Sequence, residues 1–500
     1  MITKLDKPFE NWLKDIDFPK IYKKNGGEPL SESEIHFLLY RMSRMKDISL
    51  DAESLAIVQN IDRSSSNNFS EMLLKIFFEC GAEAKHKWCM TLASVLGNDK
   101  TIETLKIKAN NWADNARPKM AEYAVQAIVL NASVKALRTI DYFTRKYKAK
   151  NIGKTAALAF KNAAEFLGVS ENDLSDAIIA DFGFEGLFKN FTVREETYRA
   201  FVDTDFVLTF LNEDNLALKA LPKGTPETVK TEFKNIAKEI KETVKAQTPR
   251  LESYLVSQRR WESEKWQTLF LNNPVMFVYA VRLIWGVFEE TVESQNFESL
   301  QYTFTVQEDQ TVVNHEGDEI NLTGATKIGL VHPIQLESDI LNYWKNYFSE
   351  ASLTPVFMQT ERKVFFCAEN KKTEKILRAY SGVQVNAFTF IGNLEKRGWL
   401  RGSIVDGGGI ASYYKSFREE QLLAIIEQTG SLSIGYYEEP AIIGGLMFVK
   451  SSSAQFGNYI YNEPRTEDDP RLIALGEVPP IIFSEVISDI ETLKAAGTVK

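Results

Sequence analysis

From Ser31 to about Leu174 the apolar positions recur with helical spacing. Ile35, Leu38, Leu39, Met42 and Met45 fall at i, i+3, i+4, i+7 and i+10, which lines one helix face. Ser31 followed three residues later by Glu34 is a capping box that predicts where this helix starts. Three later signatures, Leu96-Gly-Asn-Asp, Leu130-Asn-Ala-Ser and Leu167-Gly-Val-Ser, each close one apolar helix and cap the next. They begin 34 and then 37 residues apart, the length of a helix–turn–helix unit that buries its apolar face on its neighbours. Small residues (Ala121, Ala124, Ala127, then Ala156, Ala157, Ala159, Ala163, Ala164) allow close helix approach. The expectation for residues 1–165 is a HEAT-like array of helical hairpins, with a non-repeating bundle as the alternative.

Residues 166–300 read as further helix. Thr225 to Val244 alternates Lys and Glu at spacings that support i,i+4 pairs on an exposed helix, with Pro226 in its first turn and a second element, Arg250 to Ser257, beyond Pro249. Pro274 to Phe288 reads as a core helix ending near Gly286. At Gln301 the period changes from 3.6 to 2. Tyr302, Phe304 and Val306 alternate with Thr303 and Thr305, as in a half-buried strand. A meander follows through Thr311–Val313 and Glu319–Leu322. Strand signals recur at Thr354–Met358, Val364–Cys367, Ala387–Ile391, Ile410–Phe417, Leu432–Tyr437 and Gly445–Val449, and helical ones at Leu336–Phe348, Thr373–Tyr380 and Phe483–Lys494. Residues 301–500 are therefore expected to be a strand-rich α+β part, and the whole chain α+β and multidomain, helical hairpins first and mixed helices and antiparallel strands after.

The chain's 500 residues exceed one ordinary core. A net charge of −9 argues against a dedicated nucleic-acid binder but leaves room for a local basic patch. Three scattered cysteines (Cys80, Cys89, Cys367) make no disulfide framework, so a reducing, cytoplasmic setting is expected. Met1–Glu10 lacks the apolar run of a secretory signal, and Val275–Phe288, interrupted by Arg282, is too short to span a bilayer; no membrane segment is expected.

Candidate chemistry is sparse. Cys80, His86 and Cys89 offer three ligands where a structural zinc site needs four, so neither a metal nor any other cofactor is expected. Lys135, Arg138, Arg145, Lys146, Lys148, Lys150 and Lys154, interleaved with Tyr142, Phe143 and Tyr147, form either a phosphate-gripping patch or a solvated helix face. Arg259 and Arg260 beside Trp261 can clamp an anion or pin a helix to its neighbour through carboxylates. Asp406-Gly-Gly-Gly409 resembles a phosphate cradle, but no Gly-Lys-Ser/Thr follows and the next residues read as strand, so a glycine turn or close backbone crossing is expected. His332, at the end of the strand-like Lys327–Val331, is a general-base candidate or a satisfied structural histidine.

Taken in order, several motifs resemble the MolR-type family, the domain of unknown function 4132. They are Leu167–Leu174 leading to Asp181-Phe-Gly183, Arg259-Arg260-Trp261, Leu283-Ile-Trp-Gly286, Gly329-Leu-Val-His-Pro333, Gln359 with Arg362, and Lys396-Arg-Gly-Trp399. Asp406–Gly409, then Leu475–Pro480 running into Phe483–Val486, complete the series, over residues 165–490. The resemblance implies a helical leader feeding the family module. It implies kinship with bacterial proteins often joined to a WGR domain, labelled molybdate-metabolism regulators or encoded beside MoxR-type ATPases in conflict systems. It brings no catalytic residues, and no WGR module is visible.

The leading expectation is a non-enzymatic regulatory or scaffold protein that binds other proteins, possible partners including a component of a MoxR-type ATPase system. The rivals are a nucleic-acid-binding regulator using the basic patch, and an enzyme whose pocket gathers Arg259, Arg260, Trp261, His332, Gln359, Arg362 and Glu477.

Overall fold

The computed structural model describes residues 16–24, 27–147, 150–289, 300–323, 327–460 and 462–497. Met1–Glu10 and Lys148 of the basic stretch lie outside the described residues. The chain is α+β and multidomain, dividing into two compact units, Met1–Ala180 and Asp181–Lys500.

Among the described residues of the first unit, the extended elements of regular structure are helices. Its elements are α1 (Glu32–Ser43), α2 (Ala52–Gln59), α3 (Asn67–Glu79), α4 (Trp88–Leu96), α5 (Asp99–Asp114), α6 (Pro118–Val129), α7 (Val134–Lys146), α8 (Asn151–Leu167) and α9 (Glu171–Ala177). The capping box starts α1: Ser31 Oγ accepts from Glu34 N–H, and the Glu34 carboxylate accepts from Ser31 N–H at 2.8 Å. At the three repeated signatures, the side chains of Asn98, Ser133 and Ser170 cap α5, α7 and α9. Successive turns are laced together. Asn131 Nδ2 donates to the carbonyls of Ser94 and Gly97, at 2.5 and 3.0 Å, and Ser66 Oγ donates to Leu96 O at 2.6 Å. Ala121, Ala124 and Ala127 are fully buried on α6, and Ala156 and Ala164 on α8, where small side chains permit close packing. Cys80 is exposed and Cys89 buried.

The second unit opens with an antiparallel sheet, in the order β1 (Lys189–Val193), β2 (Glu196–Val202), β3 (Leu208–Leu211), β4 (Ala217–Leu218). These strands fall where helix was expected. The turn joining β1 to β2 explains why. Val193 pairs with Glu196, so the loop is two residues, Arg194 and Glu195, both at positive φ (51° and 72°). That conformation is normally announced by Asn-Gly or Asp-Gly, and here two charged residues adopt it.

α10 (Glu227–Ser257) follows and lays Phe233 against Phe191 and Phe210 of this sheet. It runs unbroken through Pro249, in place of the two elements expected, because Ala246, Gln247, Leu251, Tyr254 and Leu255 are all buried and packing on both sides holds the helix through the proline.

A second sheet has the order β5–β9–β6–β7–β8, all antiparallel: β5 (Arg260–Glu262), β6 (Trp285–Phe288), β7 (Leu300–Val306), β8 (Val312–Asn314) and β9 (Lys327–Leu330). It carries α11 (Ser263–Asn272) and α12 (Pro274–Val281), and Trp261, Trp266, Phe270, Trp285 and Phe304 meet in one aromatic core. The run expected as one helix, Pro274–Phe288, thus splits into α12 and β6. Every residue of both is buried, and a continuous apolar run does not distinguish the two conformations.

After α13 (Ser338–Glu350), the third sheet has the order β10 (Ile376–Leu377), β15 (Ala441–Lys450), β14 (Leu422–Gln428), β13 (Ser412–Phe417), β12 (Leu400–Arg401), with β11 (Gln384–Val385) also on β15. One face packs on α14 (Ala387–Lys396) and α15 (Pro480–Gly497). Ala387–Ile391, expected as strand, is the start of α14, where the Asn386 side chain accepts from Thr389 N–H. Thr373–Tyr380, expected as helix, contains the short β10, while Thr354–Met358 and Val364–Cys367 are irregular. Among the described residues no helix is long and apolar enough to cross a membrane.

Candidate functional site

Three of the predicted pocket residues converge. β9 ends at Leu330, and His332 caps the single 3-10 turn Pro333–Gln335 that follows. Its ring is fully buried. Ile334 N–H donates to His332 Nδ1 at 3.2 Å, so the ring proton resides on Nε2, which lies 3.2 Å from Glu485 Oε1 on α15. Arg362 closes the arrangement, with Nε to Glu485 Oε1 at 2.6 Å and a second guanidinium nitrogen to Oε2 at 2.8 Å, a bidentate fork. Its remaining nitrogen reaches Glu252 Oε1 on α10 at 3.0 Å and Met358 O at 2.9 Å. Gln359 lies alongside and is fully committed to backbone: its amide donates to Ile284 O and Val331 O, both at 2.9 Å, and its oxygen accepts from Ile284 N–H at 2.8 Å.

The electrostatics follow from this geometry. Burial works against the Glu485 carboxylate, but the Arg362 fork and the His332 N–H outweigh it and hold the carboxyl well below the usual range. Burial, reinforced by the Arg362 charge, depresses His332 against the opposing pull of Glu485, so the imidazole is neutral. Burial likewise works against the charged form of Arg362, and Glu485 and Glu252 more than reverse it. The neutral ring donates through one nitrogen and accepts through the other, leaving no lone pair for a substrate proton. The cluster is therefore built as a tie between the β9 end, the 358–365 segment, α10 and α15, and not as an acid–base site.

The other predicted residues lie elsewhere. Arg259 stacks over Tyr254 and Trp261, its carbon Cζ 5.1 Å from each ring centre. Arg260 lies over Phe288 at 3.4 Å and donates to Gln258 through its carbonyl and its side-chain oxygen, at 3.0 and 2.7 Å; burial lowers its pKa to about 9. The motif glycine Gly329 makes room for it. Gly329 pairs with both Arg260 and Gly286, and a Cβ on Gly329 would meet the Arg260 guanidinium at 2.6 Å. Trp261 sits in the aromatic core. Glu477 is exposed in the turn before α15. Sequence reasoning chose it and passed over Glu485, eight positions on, and Glu252.

In the basic stretch, Lys135 pairs with Glu103 (3.4 Å), Arg145 with Asp141 (2.8 Å) and Lys150 with Asp114 (3.7 Å). Arg138 donates to the Ile178 carbonyl, Lys146 donates to Asn110 Oδ1 at 2.7 Å over two tyrosine rings, and Lys154 is exposed. Asp406–Gly408 is a tight turn with Gly407 and Gly408 at φ 70° and 76°, and β13 follows it rather than a helix.

Residues 217–399 match a family model described as a domain of unknown function, DUF4132. That stretch includes the two arginines, His332, Gln359 and Arg362, and stops before Glu485. Over 345 residues, 67% of this chain, the sequence is 23% identical to a protein of Escherichia coli (strain K12) described as the uncharacterized protein YehI. The chain spans 28% of that relative's length. No solved structure matches. The chain is thus similar, across the middle of its second unit, to a domain whose function is not described.

Proposed function

We propose that this chain is a regulatory or scaffold protein that acts by binding other proteins, with its helical unit, read as a HEAT-like array, as the presenting surface. The observation that carries the reading is an apolar group at the end of α8: Phe166, Leu167 and Val169 are 90, 54 and 42% exposed. Large apolar side chains left exposed this close together along the chain are what an interaction site would use. A second support concerns chemistry: of the polar residues nominated for a pocket, His332, Gln359 and Arg362 are committed to Glu485, Glu252 or backbone. The acidic partners of the Lys135–Lys154 stretch remove the main support for a nucleic-acid role. In this reading the resemblance to MolR-type proteins is one of kinship, and a MoxR-type ATPase of a bacterial conflict or stress-response system is the first partner to try.

The test is co-purification of the full chain with such an ATPase from the same operon, with Phe166→Asp as comparison. Phe166 is nine-tenths exposed, so the substitution leaves folding intact. The expected result is a complex that the variant weakens by tenfold or more, roughly the effect of losing one interface anchor. Recovery of the protein alone under gentle lysis, or equal capture by the variant, overturns the reading.

A further inference from the structure

Beside the third sheet two turns cross and leave an aromatic group in solvent. The first is the Asp406–Gly409 turn. Its Gly408 carbonyl accepts from Ile434 N–H at 2.9 Å, and Gly409 pairs with Ser433. The second runs from Ser433 to Tyr436. It is closed by Tyr436 N–H donating to Ser433 O at 3.1 Å, with Gly435 in third place at φ 82°, where a side chain is disfavoured.

This crossing leaves Ile434 and Tyr436 49 and 47% exposed. Tyr437 follows, half-buried, and meets Phe388 edge to face at 5.3 Å. Phe388, in the first turn of α14, is itself 67% exposed. Ring contact and chain continuity thus join Phe388, Ile434, Tyr436 and Tyr437 into one surface group.

The charge beside it has one sign. Residues 430–440 include Glu438 and Glu439 and no Lys or Arg. Both glutamates are exposed, and neither forms an ion pair among the described residues. Asp406, exposed on the crossing turn, adds a third carboxylate. Arg401, whose charge reaches Tyr437, is already held by Glu395, two of its nitrogens lying 3.0 Å from one carboxylate oxygen. Aromatic faces and carboxylates both attract a cation, and the rings also receive the apolar stem of a long basic side chain. A second copy of this chain, at −9, would set carboxylates against carboxylates.

We propose that this surface docks a basic segment of a partner protein, an arginine or lysine lying on Tyr436 and Phe388 and pairing with Glu438 or Glu439. It lies in the second unit, so it stands or falls separately from the α8 surface.

The test is fluorescence anisotropy of a short labelled peptide of alternating arginine and glycine against the full chain, with the glutamate–glycine peptide as control. Saturable binding of the arginine peptide is expected. Phe388→Ala and Tyr436→Ala, at exposed positions and without change of charge, should each weaken it about two- to fivefold. Glu438→Gln with Glu439→Gln should weaken it at least as much and flatten its salt dependence. Glu165→Gln with Glu171→Gln, the same charge change in the first unit, should leave it unchanged. Lack of saturable binding, ring variants that bind as tightly as the wild type, an equal loss from the first-unit pair, or equal binding of the glutamate peptide overturns the proposal. Tighter binding of an uncharged proline-rich peptide, or self-association that Tyr436→Ala abolishes, assigns the surface to another occupant and overturns it as well.

Discussion

The His332–Arg362–Glu485 tie and the Gln428 side chain lie in the same unit of the chain, and both bury polar groups. In the tie, both imidazole nitrogens, every guanidinium nitrogen and both carboxylate oxygens have partners. At Gln428 on β14, a buried carboxamide has none. The residue types alone mislead at both places, because His, Arg and Glu suggest chemistry and Gln suggests settled packing. What separates them is satisfaction. A polar group with all its partners inside the fold contributes to stability and specificity, whereas a buried group without them costs its desolvation and returns nothing.

The largest expected effect tests whether the tie is structural. Arg362→Met leaves Glu485 buried and ionised with only the His332 N–H for support. Removing one partner of a buried pair costs about 3–5 kcal/mol. Arg362→Met combined with Glu485→Gln keeps an acceptor for His332 without the unpaired charge, so the double variant should be more stable than the single one. Urea unfolding followed by tryptophan fluorescence reports on this unit through Trp261, Trp266 and Trp285. A single variant as stable as the wild type would mean that the tie holds nothing together.

A pair of glutamines sharpens the contrast. Gln359→Leu strands the Ile284 N–H and the Val331 carbonyl inside the core, at about 1–3 kcal/mol for each orphaned group. Gln428→Leu strands nothing, and its effect on stability should stay within about 1 kcal/mol of zero or be stabilising. The same chemical change, in two side chains of similar burial, therefore gives different losses in the same urea titration. Equal losses would show that Gln428 has partners inside the fold.

The distance over which each feature is specified decides how much of it the sequence discloses. Caps such as Ser31 with Glu34, or Ser133 and Ser170, are completed within three residues, so the helix starts of the first unit are legible directly. The tie joins positions 153 residues apart, and Gln359 reaches 75 residues back to Ile284. His332 is legible as a histidine at the end of a strand-like run, where it is a general-base candidate, and Gln359 and Arg362 through the family resemblance. Glu485 is one acidic residue in an amphipathic helix, and no local pattern separates it from Glu477. The β1–β2 hairpin was missed for a related reason: Arg194 and Glu195 hold positive φ without the glycine that advertises it. At Gln428 a single bulge, set by the pairing of β14 with β15, decides which way the side chain faces.

Acid provides the finest probe of the tie. His332 titrates below its ordinary value of 6.5 in the folded protein, so the unfolded chain takes up its proton first. Stability therefore begins to fall as pH drops below about 6.5, by up to about 1.4 kcal/mol per pH unit for one proton, until the folded imidazole is itself protonated. Glu485 acts in the same direction at lower pH: its folded value lies far below 4.5, so its contribution is present above that pH and is lost as pH falls toward the folded value. His332→Asn keeps a side-chain oxygen that can accept from Ile334 N–H, and it removes the imidazole. Its urea midpoint should be lower than that of the wild type at pH 7, and flat with pH until the carboxylate range is reached. A wild-type midpoint that rises on acidification below 6.5 would mean that the folded histidine carries the proton, with Nδ1 protonated and no longer accepting from Ile334, and the tie would then be a pH-responsive ion pair and no longer a fixed structural one.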